Sequence, residues 1–198
     1  MIIIGLTGQT GSGKSLAAKI LKDHGAYIID ADKIAHDALL PGGGAYNEVI
    51  ENLGEKILNS DKLIDRKKVA DIVFKDPKQL KIHTETTHKH ILLKIHDELK
   101  HAKACKCKLV CIDAPLLAES GLHTSCDFVW VIYADYDKMI SRIIERDNIS
   151  INDAKSRIKS QTPFDKTAAF ADVLLENNAS EEEFKQMVLL RMTECTKK

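Results

Sequence analysis

Gly8-Gln9-Thr10-Gly11-Ser12-Gly13-Lys14-Ser15 is the stretch that decides how this chain is read. Two glycines separated by four residues, then Lys and Ser, fit the pattern of a phosphate-binding loop. The flanks agree. Met1 to Ile4 is an apolar, β-branched run that reads as a buried strand, and Leu16, Ala17, Ile20 and Leu21 fall on one helical face. The motif therefore lies between a strand and a helix, the context in which it has a mechanism.

The residue types suit the chemistry. Gly8, Gly11 and Gly13 let backbone N–H groups turn inward and approach phosphate oxygens, with Ser12 carried between them. The helix opening at Lys14, Ser15 and Leu16 points its partial positive charge at the same anion. Lys14 can reach the β- and γ-phosphates. The Ser15 hydroxyl suits Mg²⁺, a hard cation that takes oxygen ligands. The loop predicts a nucleoside triphosphate and leaves the phosphoryl acceptor open.

Composition sets the frame. A chain of 198 residues supports one sizeable core with small appended subdomains. With a formal net charge of zero, no global field draws it to nucleic acid or an anionic membrane. No apolar stretch approaches the length of a membrane span. The start, Met1-Ile2-Ile3-Ile4-Gly5, reads as a strand rather than a signal peptide, so a cytoplasmic protein is expected, as a monomer or weak homo-oligomer. The five cysteines are an odd, scattered set and read as free thiols. His101, Cys105 and Cys107 lie close together, but Cys-x-Cys is tighter than structural zinc spacing and no second ligand pair follows.

Outward from the loop, the first helix ends near Gly25 and Ala26 to Ile29 reads as a second strand, closing on Asp30-Ala31-Asp32. From Ile34 to Lys103 the pattern is helical throughout. Tyr46 to Leu53 forms one helix, Asp65 caps another from Arg66 to Phe74, and Pro77 opens a third through Leu99. Lys108 to Asp113 and Phe128 to Tyr133 read as strands, and Val173 to Leu175 as a short fifth. Asp137 to Arg146 is helical, Ser150 to Asp153 reads as a capping box opening the next helix, and Ser180 to Glu183 opens the last. Strands alternating with helices predict a parallel sheet covered on both faces, an α/β fold.

Several side chains carry candidate chemistry. Asp32 is placed to be the base that accepts a proton from an attacking hydroxyl; its other reading, shared with Asp30, is a helix cap. Asp113, at a strand's end, reads either as a carboxylate supporting the metal or as a turn cap. Arg142 and Arg146 share a helical face and suit a lid over the triphosphate, or a salt-bridged surface with Glu145 and Asp147. His88 and His90, two residues apart, do not share a helical face and so do not form a metal pair.

Taken together, these segments resemble the dephospho-coenzyme A kinase family over nearly the whole chain. The resemblance runs through Gly5-Leu6-Thr7-Gly8 with Gly11-Ser12-Gly13-Lys14-Ser15, Ile29-Asp30-Ala31-Asp32, Asp65-Arg66-Lys67-Lys68, Val73-Phe74 and Asp76-Pro77. It continues through Pro115-Leu116-Leu117 with Glu119, then Arg142, Arg146-Asp147, Arg157, Ser160-Gln161, Lys166, Ala171-Asp172 and Asn177. It implies a P-loop kinase three-layer sandwich with a five-stranded parallel sheet. The nucleotide-binding core would be residues 1–33, 104–140 and 165–198, the helical acceptor subdomain 34–103 and the lid 141–164.

The reaction implied is transfer of the γ-phosphoryl of ATP to the 3′-hydroxyl of dephospho-coenzyme A, with Mg²⁺. The resemblance makes Asp32, Lys14 and Arg142 catalytic, and adds Arg146 and Asn177 to the loop on the ATP side. Thr7, Asp32, His88, Pro115, Leu116, Leu117 and Glu119 fall on the acceptor side. Two positions depart from the family. His88-Lys89 stands where His-Pro is common, and Ala118 replaces the usual aromatic inside Pro-Leu-Leu-x-Glu. Two other readings share parts of this pattern: a nucleoside or nucleoside monophosphate kinase, which has the same loop, sheet and lid, and a slowly hydrolysing ATP-dependent switch.

Overall fold

The apolar run at the N-terminus becomes β1 (Ile2–Gly8), the central strand of the sheet. A strand buried on both faces needs a continuous apolar run, and Ile4 and Leu6 are completely buried. The computed structural model describes residues 1–197. Around β1 lie β2 (Tyr27–Asp30), β3 (Leu109–Asp113), β4 (Phe128–Tyr133) and β5 (Val173–Glu176), in the order β2-β3-β1-β4-β5. The pairings of β1 with β3 and β4, and of β4 with β5, are parallel. Leu6 stands beside Asp113 on one side and Trp130 on the other, so β3 ends level with Leu6 while β1 runs on to Gly8.

Helices α1 (Lys14–Asp23) and α9 (Glu181–Thr196) share a core with the sheet through Leu21, Phe184 and Val188. Gly25, at a left-handed φ of 91°, follows the end of α1. Helix α9 opens with a full reciprocal capping box between Ser180 and Glu183. Helices α6 (Tyr136–Asp147) and α7 (Ile151–Lys159) pack through Ile140, Ile143, Ala154 and Ile158, and the short α8 (Phe164–Ala168) follows. At α7 the expected box is only half formed in the usual sense. Ser150 accepts from the Asp153 N–H at 3.2 Å, but Asp153 is one methylene shorter than Glu and meets the Ser150 hydroxyl instead, at 2.7 Å.

The chain divides into two compact units. One holds Met1–Ile29 and the chain from Ala102 onward, the other Asp30–His101. The second unit is built from α2 (Ala31–Asp37), α3 (Tyr46–Leu53), α4 (Arg66–Val73) and most of α5 (Pro77–Ala104). Its core joins Val49 and Leu53 of α3 to Val69 and Val73 of α4. Asp65 caps α4 by accepting from the N–H groups of Lys67 and Lys68. The only departure from an all-helical reading among the described residues of this unit is a single bridge between Leu58 and Ile64. Helix α5 runs on past Leu99 for another turn, because His101, Ala102 and Lys103 offer nothing that stops it. No helix of the described residues is long and apolar enough to cross a membrane.

Candidate active site

The loop between β1 and α1 is held open by its surroundings. Gly13 caps α1 in the left-handed region, φ 101°, with no side chain bonded to the helix end. Helix geometry leaves the N–H groups of Lys14, Ser15 and Leu16 without intrahelical acceptors, and these are the groups an anion takes. Gly11 lets α6 approach: a Cβ there would stand 2.6 Å from the Met139 carbonyl. The Ser12 hydroxyl is buried and faces the fold, so Ser12 serves the loop through its backbone. The Ser15 side chain is exposed, while Leu16 packs against the core.

Five side chains from distant parts of this unit converge on that loop. Lys14 donates to the Asp113 carboxylate at the end of β3. Asp113 thus pairs with the loop's own cation, a role neither reading of the sequence anticipated. Arg142 donates to the Gly11 carbonyl at 3.2 Å and the Asn177 carbonyl at 2.9 Å. Asn177, 4% exposed, donates to the Ser12 carbonyl at 2.8 Å. Arg146, one turn beyond Arg142, reaches the Thr10 hydroxyl at 3.4 Å and is also bound by Asp147. Arg142 thus turns to the loop, and Arg146 divides between loop and carboxylate.

Gln161, which the resemblance includes with Ser160, and Thr162 tie the segment after α7 to the loop. Gln161 Oε1 accepts from the Thr10 N–H at 2.8 Å, and Gln9 Nε2 donates to the Thr162 carbonyl at 3.1 Å. The Thr162 hydroxyl donates to Glu119. Asp147 is a carboxylate that the salt-bridged reading of this face named. It accepts two bonds from Arg146, each 2.8 Å, and one from Arg157 of α7. Hydrogen bonding from Arg146 is the main reason its carboxyl lies below the usual carboxylate range.

The segment Pro115-Leu116-Leu117 is split by its geometry. Leu117 is 1% exposed and packs where a Cβ on Gly5 would stand. Thr7 is buried and donates its hydroxyl to the Pro115 carbonyl at 3.0 Å. Leu116 faces outward, 59% exposed. Thr7, Pro115, Leu116, Gln161 and Thr162 share a recess of about 150 Å³ with Gly8 and Gln9.

Asp32 lies in the helical unit. Asp30 takes the cap of α2, accepting from the Lys33 N–H at 2.9 Å, so Asp32 is not the cap. Its face of α2 lines a cleft of about 580 Å³, within the roughly 300–1,000 Å³ of small-molecule sites. Three helix faces form the walls: Asp32, Ala35 and His36 of α2, Arg66, Val69, Ala70 and Val73 of α4, and Leu80, His83, Thr87 and Ile91 of α5. These spacings of three and four residues place each set on one helical face. Phe74, 79% exposed, stands at the rim. His88 is not among the lining residues. Burial holds His83 below the ordinary imidazole range, and its Nδ1 is buried without a hydrogen-bond partner. Among the described residues no cluster of three His, Cys, Asp or Glu side chains is arranged to hold a metal.

Comparison with known proteins places the chain in a family. The dephospho-CoA kinase family profile matches residues 2–183. The chain is 37% identical to a dephospho-CoA kinase of Carboxydothermus hydrogenoformans, over 94% of this chain and 91% of that one. It is 38% identical to one of Geobacter metallireducens, over 96% and 94%. The solved dephospho-CoA kinase of Campylobacter jejuni is 29% identical, with a TM-score of 0.73 over 98% of this chain and 97% of that one. Neither the nucleoside kinase reading nor the switch reading is favoured by these matches. The chain belongs to the dephospho-CoA kinase family.

Proposed function

We propose that this protein transfers the γ-phosphoryl of ATP to the 3′-hydroxyl of dephospho-CoA, giving CoA and ADP. The observation that carries the reading, beside family membership, is Asp32. It is relieved of capping by Asp30 and lines a cleft large enough for a small-molecule acceptor. In this reading Asp32 accepts the hydroxyl proton as the oxygen attacks phosphorus. The free N–H groups at the start of α1, with Lys14, bind the triphosphate, and Arg142 meets charge developing on the transferring group.

Mg²⁺ fits the donor set, since the exposed Ser15 hydroxyl is a hard oxygen ligand beside Lys14. Bound there, it would offset negative charge on the triphosphate. Pro115, Leu116 and Glu119 serve the acceptor side, with Thr7 and Leu117 supporting them from the interior. Lid residues 141–164 exclude water, which otherwise competes as acceptor. The reading includes a cytoplasmic setting, a monomer or weak homo-oligomer, and no nucleic-acid or membrane partner, in keeping with a net charge of zero.

The test is ADP release from Mg·ATP with dephospho-CoA, AMP, UMP, a nucleoside, or no acceptor. Stimulation by dephospho-CoA alone, with CoA as product, is expected. Asp32→Asn should bind ATP normally and lose at least about a hundredfold in kcat. Stimulation by a different acceptor would overturn the substrate, and undiminished turnover by D32N would remove Asp32 from the base role.

A further inference from the structure

We infer that Arg66 is a specificity-determining residue that recognises the diphosphate of the acceptor, held in place by His36; this rests on the proposed function. A guanidinium only donates hydrogen bonds, so its 2.7 Å contact with His36 fixes His36 Nδ1 as the acceptor. One N–H of Arg66 is spent on that contact. The rest of its planar fork remains to meet an anion in the bidentate manner that suits phosphate.

The chemistry of the cleft walls supports the assignment. On α2, Asp32 and His36 are one turn apart, roughly 6 Å along the axis. Arg66, bonded to His36, stands at the start of the α4 wall. Val73 lies about 10 Å further along that helix, with Phe74 next to it at the rim. The walls therefore hold a carboxylate, a histidine–arginine pair one helical turn from it, and apolar side chains. Dephospho-CoA carries the matching groups: a ribose 3′-hydroxyl, a 5′-diphosphate close to it, and a long pantetheine arm. A nucleoside shares only the first of these groups, so an arginine reading the second separates the two classes of acceptor.

His36 is then a positioning residue. It takes up one donor of a mobile side chain and narrows the guanidinium's orientations, which lessens what binding must order. Lys at position 66 would keep the charge and lose the planar fork.

The experiment uses the full chain and measures KM for each substrate separately, with dephospho-CoA affinity by calorimetry and a melting curve for every variant. Arg66→Gln should raise KM and Kd for dephospho-CoA at least about tenfold, with KM for ATP within about twofold of wild type. Arg66→Lys should fall between the two. His36→Ala should weaken dephospho-CoA less than R66Q, again sparing ATP. Wild-type affinity in R66Q overturns the assignment, and so does an equal loss for both substrates, which marks a merely structural role. If the wild-type protein itself neither binds nor phosphorylates dephospho-CoA, the proposed function fails first. If it does both and R66Q is unaffected, only the Arg66 assignment fails.

Discussion

Asn177 occupies the space beside Gly13: a Cβ on Gly13 would stand 2.0 Å from Asn177 Nδ2, the same amide that donates to the Ser12 carbonyl at 2.8 Å. The phosphate loop is therefore shaped in part by a residue just beyond β5. Glycine at 13 is required twice, by this contact and by a φ of 101°. Gly13→Ala should abolish detectable ATP binding. Asn177→Ala leaves the Ser12 carbonyl unpaired and should cost about 1–3 kcal/mol of stability. At roughly 2–4 °C of melting temperature per kcal/mol in a chain of this size, a scan resolves it. KM for ATP should rise alongside. An N177A protein with wild-type melting and wild-type ATP affinity would strip Asn177 of its loop-supporting role.

Asp147 joins Arg146 of α6 to Arg157 of α7, and Arg146 in turn reaches Thr10. Asp147→Asn keeps the shape and removes the charge that orients both arginines. KM for ATP should rise roughly threefold to tenfold. Melting should barely move, because ion pairs this exposed contribute little to stability. Hydrogen bonding to Arg146 lowers the carboxyl's pKa, so the pairing is intact above the usual carboxylate range and lost as pH falls through the lowered value. Hence the D147N effect on KM should be the same at neutral and alkaline pH. A large loss of stability with unchanged KM would mean that Asp147 only braces the helices.

His83 predicts a pH dependence of stability. Burial lowers its pKa below 6.5, so the unfolded chain binds its proton more readily than the folded one. The stability it contributes is fully present above about 6.5 and is lost as pH falls through the window down to the folded value. The melting temperature of the wild type should therefore drop relative to His83→Leu as the pH is lowered across that window. Parallel curves for the two proteins would show that His83 does not titrate differently on folding.

Much of this was legible in the chain because it is local. The loop, the strand before it and the helix after it lie within two dozen residues, and their glycines, β-branched run and helical stripe each act on near neighbours. The caps at Asp65 and Ser180 were readable for the same reason, since a cap bonds two or three residues ahead. Asp30 and Asp32 were not separable that way. Both lie within reach of the first turn of α2, and backbone geometry assigns the cap to Asp30.

The sequence by itself determined the phosphate loop, the alternation that makes a parallel sheet, the helical insertion and the residue types that phosphoryl transfer uses. These follow from hydrogen bonds and side-chain periods that span a few residues. Only the tertiary structure decided that Asn177 and Gln161 support the loop, that Asp113 pairs with Lys14, and which faces of α2, α4 and α5 enclose a cleft. The partners in the first three contacts lie 165, 151 and 99 residues apart. Such contacts form where packing carries side chains from different elements to one point, and no local period in the chain encodes that meeting.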